Sequence, residues 1–72
     1  LEKKEDSKLL FNAIDKLNEE QKTAYILKNI QGLSYNKISE IMNKSTSSIE
    51  SLIFRAKRSL KLLLIKKMDN KK

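Results

Sequence analysis

The stretch Gly32-Leu33-Ser34-Tyr35-Asn36-Lys37-Ile38-Ser39-Glu40-Ile41-Met42-Asn43-Lys44-Ser45-Thr46-Ser47-Ser48-Ile49 decides the fold of this chain. It reads as two short helices joined by a tight turn. Ser34 is a good N-cap for the first of them, and Ile38, Ile41 and Met42 recur on one side as its buried face. Asn43 stops that helix, because after glycine, asparagine best tolerates the left-handed conformation that a sharp interhelical turn needs. Ser45 or Thr46 then caps the next helix. A helix-turn-helix makes three demands, and all are met here. Ser39 is small enough for a close crossing, Asn43 follows four residues later in the turn, and Ile49, six further on, anchors the second helix against the first. The competing reading of the spacing is an ordinary helix pair.

Outward from this pair toward the C-terminus, apolar residues recur at Ile49, Leu52, Ile53, Ala56, Leu60, Leu63 and Leu64. That stripe predicts one long helix to about Lys67. Lys66 and Lys67 suit the negative end of its dipole, and residues 68–72 read as a disordered tail. Ile38, Met42, Ile49, Ile53 and Ala56 are expected in one core. With Ile49, Ile53 and Ala56 turned inward, Ser47, Ser48, Ser51, Arg55 and Arg58 share the outward face, with Phe54 on its margin. Short serines let a helix N-terminus approach base edges and phosphates, where backbone amides also attract anions. Arg55 can pair bidentately with a guanine or clamp a phosphate. Each serine singly also fits a plain solvent face, and Phe54 fits either a groove contact or the rim of the core.

Toward the N-terminus, a first helix is expected from Asp6 or Ser7, with Leu9, Leu10, Ala13, Ile14 and Leu17 on one apolar face. Asn18 opens a second helix with Gln21 at the capping-box position, and Glu19 and Glu20 lie at the positive end of its dipole. Ala24, Leu27 and Ile30 are its inward residues, and Gly32 ends it by supplying a left-handed residue without steric cost.

The composition supports an all-α chain. Its 72 residues contain no proline and one glycine, so breakers are almost absent. Without cysteine or histidine the chain lacks disulfides, thiolate metal sites, the usual zinc ligand and the usual general base. No nucleophile–base pair is visible, so no enzymatic activity, cofactor, metal or small-molecule substrate is expected. The first residue is Leu1, which suggests a piece of a longer polypeptide. The charge is uneven. Residues 1–36 carry six Lys against six Asp and Glu, whereas residues 37–72 carry ten Lys and Arg against three acids, the whole-chain excess of +7. A polyanion partner, most commonly nucleic acid, fits that asymmetry better than a merely solvated basic face.

From about Leu17 to Leu64 the chain resembles region 4 of the sigma-70 family, in the form found in extracytoplasmic-function (group 4) sigma factors. The matching pieces are Leu17-Asn18-Glu19-Glu20-Gln21-Lys22, Ala24-Tyr25-Ile26-Leu27-Lys28, Gly32-Leu33-Ser34-Tyr35 with Ile38, and Ser48-Ile49-Glu50-Ser51-Leu52-Ile53-Phe54-Arg55-Ala56-Lys57. The resemblance implies recognition of the promoter −35 element by the last helix and docking of the earlier helices on the β-flap of RNA polymerase. It implies DNA contacts at Ser48, Ser51, Phe54, Arg55 and Lys57, with Lys28 and Tyr35 on the DNA backbone. Lys37 and Lys44 from the helix pair, and Ser47 and Arg58 from the outward face, complete the expected DNA-binding set. An anti-sigma factor is a further partner the resemblance suggests, and cytoplasmic, nucleoid-associated placement follows from that function alone.

Departures from the family pattern are informative. Asn18 stands where proline is common, Asn43 replaces the usual turn glycine, and Ser39 replaces the usual alanine. Lys44 takes a position often apolar. Glu50 and Leu52 stand where many members are basic, which weakens phosphate contact there. The expected organisation is a first helix at 1–17 leading in from an upstream linker, a helix-turn-helix domain at 18–67, and the tail. The fold is therefore an all-α, four-helix domain with an elongated basic recognition helix. Rival functions are a LuxR-like helix-turn-helix regulator, a protein-interaction module bound by an anti-sigma factor, and a basic amphipathic helix from Leu60 to Lys67 lying on anionic membrane. The longest apolar run, Leu62 to Ile65, is too short to span a bilayer.

Overall fold

A computed structural model describes the backbone of residues 2–70 and the side chains of residues 8–65. Four α-helices follow in order: α1 (Glu2–Asp15), α2 (Glu19–Tyr25), α3 (Tyr35–Met42) and α4 (Thr46–Asn70). A π-helical turn, Ile26–Ile30, continues α2. Helix α1 begins at Glu2, ahead of the Asp6 or Ser7 expected from capping. No glycine or proline between Glu2 and Asp6 breaks the helix. At the other end α4 reaches Asn70, past the expected stop at Lys67, since no glycine or proline intervenes. Residues 68–70, read from sequence as tail, are helical backbone, and Lys71 and Lys72 lie outside the described residues.

The caps fall where the residue types place them. The backbone N–H of Gln21 donates to Asn18 Oδ1 at 2.9 Å, and that of Lys37 to Ser34 Oγ at 3.1 Å. Ser45, not Thr46, caps α4: the Ser48 N–H donates to Ser45 Oγ at 3.1 Å. Asn43 adopts φ 57° and ψ 47°, the left-handed turn residue. That conformation lets the Lys44 N–H reach back to the Ser39 carbonyl at 3.1 Å. The Ser39 hydroxyl in turn donates to the Lys44 carbonyl. Serine at this crossing is thus more than a small residue, because it ties α3 to the turn from both directions.

The core divides in two. Ala24, Ile38, Ile49 and Ile53 form a buried cluster under the helix pair, with Leu27, Leu33, Tyr35, Met42 and Leu52 packed around it. Ala13, Ile14, Leu17, Ala56 and Leu60 form a second cluster where α1 lies on α4. Ala56 therefore belongs with α1, not with Ile38 and Ile49 as expected. The length of α4 explains the split: its early turns cover α2 and α3, and its later turns cover α1.

Two residues expected inside are outside. Ile30 is 46% exposed and Ile41 is 52% exposed. The π turn is the cause at Ile30. Its wider winding closes with the Gln31 N–H on the Ile26 carbonyl at 3.0 Å, and this rotates Ile30 away from the face of Ala24 and Leu27. Gly32 (φ 75°) then ends the segment, and the Leu33 N–H bonds the Leu27 carbonyl at 3.0 Å. Ile41 belongs to neither core cluster, whereas its neighbour Met42 packs against the first. Helix α3 packs mainly on α4, with only a slender contact to the π turn, so Ile41 stays uncovered.

Candidate nucleic-acid interface

The outer face of α4 is built by what its inner face must do. Burial of Ile49, Ile53 and Ala56 at 3.6-residue spacing leaves Ser47, Ser51, Phe54, Arg55 and Arg58 exposed together. Phe54 is 68% exposed, so it is not a rim core residue. Ser48 is exposed as well, but its hydroxyl accepts from Ser45 Oγ at 3.0 Å within the cap. Lys57 is exposed as well.

Two open depressions flank the serine–arginine ridge. The larger, about 790 Å³, brings Tyr35 of α3 together with Ser47, Ser51, Phe54, Arg55 and Lys57, and also with Glu50. The smaller, about 380 Å³, brings Lys44 together with Ser47, Ser48, Ser51 and Arg55, and adds Glu20. Eight of the eleven expected DNA-contacting residues thus share one side of the domain. Lys28, Lys37 and Arg58 line neither of these depressions.

The cations differ in how committed they are within the chain. Lys28 Nζ lies over the Tyr35 ring, 4.6 Å from its centroid, a cation–π contact that joins the π turn to the start of α3. Lys37 pairs with Glu40 at 3.9 Å, and both side chains are mostly exposed. Lys44 makes the shortest ion pair of the described residues, 2.9 Å to Glu20 at the start of α2. Arg55, Lys57 and Arg58 have no ion-pair partner among the described residues. Exposed guanidinium and ammonium groups without a partner suit phosphate or guanine contact, because no internal pair must break first.

Sequence reasoning missed Glu20 as a neighbour of this face. Its position near the N-terminus of α2 explains it as a dipole partner, and only the packing of α2 against the turn brings it to Lys44. The hydroxyl bond of Ser39 was equally out of reach, since it depends on the left-handed step at Asn43. No group of acidic residues that could hold a metal ion occurs among the described residues, and no described helix is long and apolar enough to cross a membrane.

The profile of sigma-70, region 4, matches residues 7–60. The ECF RNA polymerase sigma-E factor of Haemophilus influenzae is 40% identical over 53 residues, which cover 74% of this chain and 28% of that protein. A chain of the RsbN–BldN complex, solved at 1.8 Å, superposes with a TM-score of 0.78 and 33% identity, covering 81% of this chain and 42% of its own. The matched regions therefore span less than half the length of either relative.

Proposed function

This chain belongs to the sigma-70 region 4 family, and from that premise we propose that it binds the promoter −35 element and directs RNA polymerase to initiate transcription there. The family is one of transcription factors, not enzymes. The observation that carries the proposal is the single exposed face of α4, where Ser47, Ser51, Arg55 and Arg58 stand together above a buried Ile49 and Ile53. The major groove, about 12 Å wide, admits one helix, and the N-terminal residues of a recognition helix meet base edges there. Serines occupy those early turns of α4 and cations the later ones. Helix α3, held by the left-handed turn at Asn43, crosses the DNA backbone with Lys37 toward phosphate.

A second surface supports a protein partner. Ile30 and Ile41 are exposed on the earlier segments and line neither depression beside α4, and they suit docking on the β-flap of RNA polymerase. The similar solved chain sits in a complex of two proteins, which favours an anti-sigma factor as a further partner.

Two substitutions separate reading from positioning. Arg55→Ala should cost roughly 1–3 kcal/mol on the preferred duplex and relax preference at one base pair. Lys37→Ala should weaken all sequences alike and lower the salt slope by about one unit. Affinities of both variants on matched and scrambled duplexes at two salt concentrations decide the matter. If Arg55→Ala leaves affinity and preference intact, α4 is not the reader.

A further inference from the structure

Between Glu40 and Asp69 the chain carries seven Lys and Arg and one acidic residue, Glu50. It stands in the second turn of α4, exposed, in the same depression as Tyr35, Ser47, Ser51 and Phe54. It pairs with no cation among the described residues. On a face assembled for a polyanion, an unpaired carboxylate opposes phosphate binding. Its place in α4 offers it a different partner: the early residues of a recognition helix contact base edges.

We infer that Glu50 is a specificity-determining residue that accepts a hydrogen bond from the exocyclic amine of a cytosine in the major groove, an assignment resting on the DNA-reading role proposed above. A carboxylate accepts hydrogen bonds and donates none. Guanine N7 and O6 and thymine O4 are acceptors and repel it, which leaves the amines of cytosine and adenine. Adenine sets its N7 acceptor beside the amine, facing the second carboxylate oxygen, whereas cytosine has no acceptor there. Cytosine is thus the base of choice, and much of the discrimination comes from repulsion of the others. Phe54, one turn later on the same flank, supplies apolar cover that strengthens the contact by excluding water.

The test compares the unaltered chain with Glu50→Gln and Glu50→Ala. Duplexes retained from a randomised pool at low salt are sequenced, and the winners are titrated. Glu50 is exposed, so neither change disturbs the core. The unaltered chain should select cytosine at one position of its site. Glu50→Gln should move that position toward adenine, because an amide pairs with adenine N6 and N7 together. Glu50→Ala should flatten it by on the order of ten-fold while raising affinity for scrambled duplexes. Identical preferences in all three proteins, with Glu50→Ala merely raising affinity evenly, would overturn the assignment and leave Glu50 as a repelling charge or a contact for a protein. Failure of the unaltered chain to bind any duplex at low salt would instead remove the DNA-reading role, and Glu50 with it.

Discussion

The left-handed step at Asn43 permits a clean stability series, since the residue is exposed and carries almost no packing. At φ 57° an ordinary L-residue pays roughly 1–2 kcal/mol relative to glycine, because its Cβ crowds the following carbonyl. Asparagine pays less, as its short polar side chain can bond locally. Asn43→Gly should therefore stabilise the domain slightly or leave it unchanged. Asn43→Ala should cost about 1 kcal/mol relative to glycine, and Asn43→Val more, because a β-branched residue resists this region strongly. A domain of 72 residues has in total about 4–11 kcal/mol of stability, so the valine form loses a sizeable fraction. In thermal terms, each 1 kcal/mol corresponds to about 4–8 °C in a domain of this size. Urea melts followed by far-UV circular dichroism, with a common m value, give the order directly. The expected order is Gly at or above Asn, then Ala, then Val. Alanine and glycine forms equal within about 0.3 kcal/mol would refute the reasoning. The Ser39–Lys44 hydrogen bonds would then have to hold the turn without help from the residue at 43.

Other outcomes follow from the same geometry. Ile49→Ala should cost about 2–5 kcal/mol and Ile49→Val about 0.5–1.5, read from the same urea melts, because Ile49 of α4 is fully buried in the cluster with Ala24 of α2 and Ile38 of α3. With about five to seven cations close enough to phosphate, log affinity for duplex DNA should fall with log salt at a slope of about −4.5 to −6.3, and a slope near zero would contradict it. Glu20→Gln should release Lys44 from its 2.9 Å pair, raise DNA affinity and steepen that slope by about one unit. The pair is partly exposed, so thermal stability should change by well under 1 kcal/mol.

Most of the architecture was legible because local rules and global packing agree along this chain. The caps at Asn18, Ser34 and Ser45, the turn at Asn43 and the α4 stripe all arise from residue types acting within four positions of one another. The misreadings share a different origin. Ile30 fits the α-helical period of Ala24 and Leu27, but the π turn changes that period, and no local residue signals it. Ile41 completes an apolar face that α3 never buries, because only tertiary contacts decide which flank a short helix covers. The α4 stripe alone joins Ala56 to Ile49 and Ile53, but a helix as long as α4 serves two clusters in succession. At the interface, the outward face of α4 could be read by elimination once its inner face was fixed. The Glu20–Lys44 pair could not, since it joins residues 24 apart through packing alone.

The proposed function requires α4 to be the surface that meets DNA. Amide chemical shifts, recorded while a duplex carrying the preferred site is titrated into the chain, test this directly and suit weak binding. The largest and saturating changes should fall on Ser47, Ser51, Phe54, Arg55 and Arg58, with smaller ones at Tyr35 and Lys37 and none at Phe11. Changes confined to Ile30 and Ile41, or spread evenly over the chain without saturation, would contradict the assignment of α4 as the reading helix.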